Sequence, residues 1–368
     1  MKITKYILGI SLITMLSCEK EEDNNPISTT ATLPSTYNFE NVDFSGQTTR
    51  LDMLSEIVSY LKTANSGSAL DQNKLEDMFL NDGFTWNNAD LNGSTKKLGN
   101  KVSDDAQASF ANWFGAIDFA SKSISAGSNG NPGLISSNSG TKTYLFDASG
   151  LEHGQLIEKG TMGAVFYYQA TSVYFSDGKM NVDNETVTEG KGTDMQHHWD
   201  EAFGYFGAPI DFGTADFTYN SGSDYDRFWA KYANGRNSVL NLNNEFLKSF
   251  IKGREAIARK DYSDRDEAIL EIRKNWEIIS VATAIHYLNG AKADIADDAL
   301  RMHQLSEAYA FIWSLKFNPD QILSDVEIQD DILNTYFGNL YTISVGDINS
   351  VIDILAQAYG LQTYKDVL

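Results

Sequence analysis

A histidine and a glutamate stand three residues apart in a segment whose pattern predicts a helix. They are His198 and Glu201, within the run QHHWDE at residues 196–201. Positions three or four apart lie on one face of a helix, so an imidazole and a carboxylate there can bind one divalent metal ion. We therefore interpret His198 and Glu201 as metal ligands, supported by His197 and Asp200. The alternative is an ion pair or a hydrogen-bond network at the start of the helix.

A second helical segment carries the same two residue types. His303 and Glu307 are four residues apart and also share a face. We predict that they meet His198 and Glu201 from another helix and complete the site. Nitrogen and oxygen donors of this kind suit iron or zinc better than copper(I). The prediction depends on two sequence-distant pairs converging in space.

Two further residues are candidates for contacts with a ligand or with the metal-binding side chains. Glu152 stands in a glycine-rich helical segment whose polar residues either face an interior cleft or form a solvated surface. His286 stands on an apolar helix face, where the alternative role is that of a core histidine bonded to a backbone carbonyl. Both alternatives stay open at the level of sequence.

Several familiar catalytic patterns are absent from the sequence. It contains no HExxH, no GxSxG and no P-loop, and its single cysteine, Cys18, lies near the N-terminus. We therefore assign no catalytic residue. The formal net charge of −21 makes nucleic acid an unsuitable partner. One cysteine also excludes an internal disulfide, so the fold has to be held by its core.

The first residues have the features of an export signal. Lys2 and Lys5 precede a short apolar stretch at residues 7–15, which is too short to span a bilayer. The following LSC sequence resembles the lipobox of bacterial lipoproteins, with Cys18 as the lipidated residue. The acidic run at residues 19–23 resembles the lipoprotein export signal of Bacteroidota. We expect an outer-membrane lipoprotein that faces the cell surface and contacts the membrane through its anchor.

The rest of the chain predicts an all-α fold with a short tether in front. Residues 1–17 are the expected signal peptide, and residues 18–36 are the lipidated cysteine with an acidic and polar tether. Apolar residues then recur every three or four positions through most of the chain. We predict two packed helical bundles, at residues 37–215 and 216–368, with the HxxE motif in the first.

Glycines suggest where this helical pattern is interrupted or closely packed. The segment from about residue 151 to 175 is predicted helical although it contains Gly154, Gly160 and Gly163, and close helix approach is the expected compensation. Residues 125–140 are rich in Gly, Ser and Asn and are expected to form an exposed loop. A break is expected at Gly235 within a helix spanning about 224–250.

Several stretches of the chain together resemble an uncharacterised family of lipoproteins from Bacteroidota, carried as a domain of unknown function and related to the imelysin-like group. The matching stretches are FSGQ (44–47), RLDML (50–54), EHGQLIEKGTMGAVF (152–166), HWDEAFGYF (198–206) and SEAYAF (306–311). The resemblance covers nearly the whole chain beyond the tether.

The link to the imelysin-like group implies more specific properties. That group is similar to two packed four-helix bundles with a GxHxxE motif in the cleft and a connection to iron acquisition. His198 and Glu201 match the His and Glu of the motif, whereas Gln196 replaces its Gly. The resemblance therefore implies a protein that binds a metal ion or an iron-bearing ligand between two bundles. The alternatives are an imelysin-like metallopeptidase and a scaffold partner of an outer-membrane transporter.

Overall fold

Helices make up most of the computed structural model, which describes residues 33–214 and 227–368. The α-helices are α1 (Ser45–Lys62), α2 (Gln72–Leu80), α3 (Gln107–Ser121), α4 (His153–Thr161), α5 (Asp177–Met180), α6 (Asp194–Phe206), α7 (Trp229–Leu240), α8 (Asn243–Arg259), α9 (Tyr262–Ala293), α10 (Asp298–Ser314) and α11 (Val345–Tyr359). Wider π-helical turns follow at Met162–Tyr167, Gln169–Tyr174 and Glu327–Asn334. The predicted all-α class is confirmed.

The longest helix, α9, organises the core. Its 32 residues give a rod of about 48 Å. Helices α8, α10, α11 and α7 pack along it, and α10 in turn packs on α4. Trp276, Ile279 and Ile285 of α9 are almost completely buried. Burial around most of its circumference explains why the apolar pattern of this segment is so continuous.

Helix α4 continues into the π-helical turns and comes very close to its neighbours. A Cβ on Gly160 would lie 2.5 Å from the ring of Trp113, and one on Gly163 would lie 2.0 Å from Oγ of Ser314. The expectation that glycines allow close helix approach is thus confirmed at these two positions. A Cβ on Gly154 would meet only ordinary van der Waals contact, at 3.7 Å.

A small antiparallel hairpin occupies part of the segment predicted as a loop. Strand β1 (Gly133–Ser136) pairs with β2 (Thr143–Phe146), and Leu134 stands opposite Leu145. The loop prediction was therefore wrong for residues 133–136. The strand is too short to show an alternating pattern, and the glycines around it have positive φ angles that fit its turns.

The predicted break at Gly235 was also wrong. Gly235 lies inside α7, and the helix ends instead at Leu240, followed by Asn241, whose φ of 53° is left-handed. Asparagine tolerates this conformation better than most residues with a Cβ. Nearby, Asn243 is buried and donates a hydrogen bond to Asn234, which helps to fix the connection between α7 and α8.

Leu33 to Leu368 cluster as one compact unit. The predicted division between residues 215 and 216 falls at residues 215–226, outside the described part of the chain, and stays a prediction. The predicted signal peptide, Cys18 and most of the tether also lie outside it. Within residues 33–214 and 227–368, no helix has the length and apolar character needed to cross a membrane.

Candidate functional site

Helix α6 carries the HxxE pair and begins as its sequence requires. The Thr193 side chain accepts a hydrogen bond from the backbone of Gln196, and the Gln196 side chain accepts one from Thr193 in return. This capping box fixes the start of the helix. His198 and Glu201 therefore lie on one face of α6, as predicted.

The carboxylate of Glu201 accepts hydrogen bonds on both of its oxygens. Gln47 and Tyr174 each donate to Oε1 at 3.0 Å, and His198 Nδ1 lies 3.2 Å from Oε2, with His197 Nε2 at 4.0 Å. Burial alone would raise the pKa of Glu201, but the hydrogen bonds from His198 and Gln47 hold this pKa at about 2. Protein donors thus already satisfy the predicted metal ligand.

Asp200, the neighbour of Glu201, has its own partners. Arg254 Nε donates to Asp200 Oδ1 at 2.9 Å, and Tyr37 Oη donates to the same oxygen at 2.6 Å. Asp200 is completely buried and Arg254 nearly so. This pair connects α6 with α8 and with the segment that precedes α1.

His303, the second predicted imidazole ligand, pairs with Glu152. Its Nδ1 lies 2.6 Å from Glu152 Oε2, and the ring stacks on Tyr144 of β2 with centroids 4.1 Å apart and planes at 9°. Burial alone would lower the pKa of His303, but the Glu152 carboxylate raises this pKa above its ordinary value. Glu152 is buried, which favours the interior position that the sequence left open.

Glu307, predicted as the partner of His303 on the same helix, instead contacts a buried lysine. Lys159 Nζ lies 3.3 Å from Glu307 Oε1 and 2.8 Å from Glu158 Oε1. Burial would lower the pKa of Lys159, but the two carboxylates raise this pKa well above its usual range. We call Glu152, Glu158, Lys159, His303 and Glu307 the Glu152 network.

Two acceptor atoms near this network lack a partner among the described residues. They are Gln155 Oε1 and Glu307 Oε2, both buried, and the Glu307 carboxylate lies beside the Tyr287 hydroxyl without a hydrogen bond of good geometry at Oε2. Gln155, Glu152 and Glu158 also line a cavity of about 20 Å³ between α1, α3 and α4, enough for one water-sized group. Buried acceptors without donors are uncommon and call for a water, an ion or a donor from a ligand.

The candidate metal ligands form two separate sets of contacts. His197 and His198 engage Glu201, whereas His303 engages Glu152 and Glu307 engages Lys159. In residues 33–214 and 227–368, no group of three or more His, Cys, Asp or Glu side chains is arranged to hold a metal ion. The donor set of the described residues therefore does not fit a metal ion bound by protein ligands alone.

His286 lies in a different pocket, between α7 and α9. A backbone group of Leu368 hydrogen-bonds to it, in line with the core role stated as the alternative. Burial lowers the pKa of His286, and the neighbouring Arg236 lowers it further. Lys231, Tyr232 and Tyr287 line the same pocket.

The sequence pattern did not single out Glu158 and Lys159 of the Glu152 network, nor Tyr144, whose ring stacks on His303. Tyr144 lies in the hairpin that the sequence did not predict. The signal for Lys159 was available, because it stands seven residues after Glu152 and hence on nearly the same face of a helix. Tyr144 had no comparable signal.

These features define an all-α protein with a buried network of charged side chains between α4 and α10. The chain belongs to the family described as Domain of unknown function (DUF4856), which matches residues 34–361. The expectation of an uncharacterised family is confirmed at that level. No curated protein and no solved structure matches the chain.

Proposed function

We propose that this protein is a lipid-anchored envelope protein that binds a small metal-bearing ligand at the Glu152 network. The observation that carries the proposal is the contact between Glu152 and His303. The carboxylate engages Nδ1 at 2.6 Å, and Nε2 has no hydrogen-bond partner among the described residues. Metal-binding imidazoles typically have one ring nitrogen on a carboxylate while the other contacts the metal.

The stacking of the His303 ring on Tyr144 supports a role of His303 in ligand binding. The nearly parallel rings restrict rotation of the imidazole about its χ2 angle, and the Glu152 carboxylate fixes which nitrogen is engaged. The side chain of His303 is 20% exposed, whereas that of Glu152 is 5% exposed. An oriented imidazole that still reaches the solvent is suited to contact a ligand that arrives from outside.

The donor set favours a metal ion that brings ligands of its own. Structural and catalytic metal sites use three or four protein ligands, and the described residues offer no such group. A chelated ion needs only one or two protein donors to complete its coordination. The acceptors Gln155 Oε1 and Glu307 Oε2 are then available to donors such as water molecules coordinated to the ion.

Calorimetric titration tests this proposal, with ferric citrate as the probe and citrate alone as the reference. We expect saturable binding of ferric citrate that exceeds the binding of citrate. His303→Gln should weaken it at least about tenfold, and Glu152→Gln by about 10- to 100-fold, as for other residues that orient a metal-binding histidine. Equal heats for the two titrants would overturn the proposal.

His198→Gln is the matched control, because His198 forms the other imidazole–glutamate pair. The substitution removes an imidazole beside Glu201, whose carboxylate already accepts hydrogen bonds from other side chains of the protein. Affinity should stay unchanged in this variant. If binding instead required His198 and not His303, the ligand would lie at the HxxE motif, as the sequence first indicated.

We propose that the distant relationship to the imelysin-like group lies in the HxxE motif. The support is the spacing of His198 and Glu201 and their shared face on α6. In this chain the motif connects α6 to α1 through Gln47. A solved imelysin-like structure that superposes on α1, α4, α6 and α10 would support the relationship, and a different helix order would argue against it.

The anchor is the remaining part of the proposal. Cys18 within its lipobox-like sequence supports attachment to the outer membrane with the folded part facing outward. Expressed in a bacterium of the Bacteroidota, the full chain should enter the detergent phase on phase separation and be digested by protease added to whole cells. Cys18→Ala should move it to the aqueous phase, and an unchanged distribution would contradict lipidation.

A further inference from the structure

A second pocket lies between α7 and α9, beside the Glu152 network. It has a volume of about 310 Å³ and is lined by Lys231, Tyr232, Asn234, Arg236, His286 and Tyr287, among others. Its size is at the lower end of the range for small-molecule sites. Basic groups line this pocket, although the chain as a whole has a net charge of −21.

Arg236 is the most informative residue of this pocket. Its guanidinium is partly buried, and it forms no ion pair with any residue in the described parts of the chain. Burial lowers the pKa of Arg236, and the neighbour that works against this effect is Tyr287. Arginines removed from water are normally paired with a carboxylate or another anion, because desolvation of an unpaired charge is costly.

Tyr287 does not supply the missing negative charge at neutral pH. Burial, then Tyr232 and Glu307, raise the pKa of Tyr287 far above its usual value, so its phenol stays neutral. His286 adds a nearby imidazole, and Lys231 adds an ammonium at the rim. The pocket therefore combines a fixed positive charge with hydrogen-bond donors and with no carboxylate among its lining residues.

The aromatic rings give the pocket an apolar side. Tyr232 and Tyr287 both line it, and their ring centroids lie 6.4 Å apart. A Cβ on Gly235 would meet nothing within 4 Å, so the pocket is open beside this glycine. An occupant can thus place an anionic group near Arg236 and a flat or apolar body against the tyrosines.

We propose that this pocket binds a small organic oxyanion, a carboxylate or a phosphate carried on an apolar or aromatic body. Arg236 provides the planar pair of N–H donors that suits either group, and Lys231 contributes as a point charge. The pocket adjoins the Glu152 network, since Tyr287 contacts Glu307 and Lys159 Nζ lies 5.5 Å from the centroid of the Tyr232 ring. The inference still does not depend on the proposed function, because Arg236 and Lys231 have no role in that function.

Calorimetric titration of the intact chain with benzoate and with phenyl phosphate tests the inference. We expect saturable binding of at least one of them, and the preference identifies the anionic group. Arg236→Gln should weaken that binding at least about tenfold, and Lys231→Gln should weaken it less. Arg236→Lys, which keeps the charge without the planar fork, should give an intermediate loss and serves if Arg236→Gln does not fold.

Arg259→Gln is the matched control. It makes the same change in charge at an arginine that is more exposed and already paired with Asp264. It should leave the affinity unchanged, as should Glu152→Gln. If Arg259→Gln and Arg236→Gln weakened binding equally, the loss would come from the change in net charge and not from the pocket, and the inference would be overturned. Absence of binding of both probes at millimolar concentration would overturn it as well.

Discussion

Glu201 accepts hydrogen bonds on both carboxylate oxygens, whereas Glu307 leaves Oε2 without a partner among the described residues. The two glutamates were equivalent as sequence candidates, since each follows a histidine at helical spacing. A satisfied carboxylate stabilises the fold and has little capacity for a ligand. Glu307 contacts Lys159 and lies beside the Tyr287 hydroxyl, but one of its carboxylate oxygens has no hydrogen bond of good geometry, so it retains more of that capacity. This difference favours the Glu152 network over the HxxE motif of α6 as the candidate site.

Glu201→Gln should lower the free energy of unfolding by about 1–3 kcal/mol at pH 7. The glutamine amide has only one acceptor oxygen, so it cannot accept from Gln47 and Tyr174 on one side and from His198 on the other. The pKa of Glu201 is lowered to about 2 in the folded protein. Its stabilising effect is therefore complete above the unfolded pKa and is lost as the pH falls towards 2.

Urea unfolding of wild type and Glu201→Gln at pH 6 and pH 3 measures this effect. The difference between the two proteins should shrink at the lower pH. Glu189→Gln, at an exposed glutamate with no hydrogen bond or ion pair among the described residues, should show only a small difference at pH 6. A wild-type advantage of the same size at both pH values would mean that ionisation of Glu201 contributes little.

Lys159→Met should destabilise the protein by about 3–5 kcal/mol, because it leaves Glu158 and Glu307 buried without their counter-charge. Lys252→Met is the control at an exposed ion pair and should cost less than about 1 kcal/mol. Adding Glu307→Gln to Lys159→Met should restore part of the loss. Thermal unfolding of the four proteins measures this, and equal losses for both lysine variants would contradict a buried network.

The helices differ in how well their sequences predict them. Helix α6, where His198 and Glu201 were expected to share a face, was predicted correctly, because local spacing and its capping box decide it. The hairpin and the end of α7 depend on single turns and on contacts distant in sequence. The partners of His303 and Glu307 could not be predicted for the same reason. Spacing places a side chain on a helix face, but only packing decides what stands opposite.

Gly163→Ala should destabilise the protein by about 1–3 kcal/mol or more, because the added methyl would lie 2.0 Å from Ser314 Oγ and 2.6 Å from Ser314 Cβ. Gly235→Ala makes the same change inside α7 where nothing lies within 4 Å, and should stabilise by up to about 1 kcal/mol. Melting temperatures of the two variants should shift in opposite directions. A stabilising Gly163→Ala would show that the π-helical turn after α4 is not so closely packed on α10.

At the scale of the whole molecule, contacts repeatedly join the two predicted bundles. Glu152 of the first pairs with His303 of the second, and Lys159 pairs with Glu307. Helix α4 also packs directly on α10. Leu33–Leu368 cluster as one unit, and the division at residue 215 that the sequence pattern suggested stays a prediction. Helical periodicity reports which faces are buried, and it does not report whether their partners come from the same half of the chain.

Expressed separately, residues 37–215 and 216–368 should each fail to unfold cooperatively. Without the first half, α10 would expose buried side chains that pack against it, including Met302 beside Gly150 and Trp313 against Trp113. Loss of this burial costs about 1.5–3 kcal/mol for each large apolar side chain, which is comparable to the stability of a whole domain after only a few residues. The chain from Leu33 should instead show coincident thermal transitions by circular dichroism and by tryptophan fluorescence. A sharp transition in either separate half, near the melting temperature of the intact chain, would show that the two bundles fold independently and that the contacts between α4 and α10 only join finished domains.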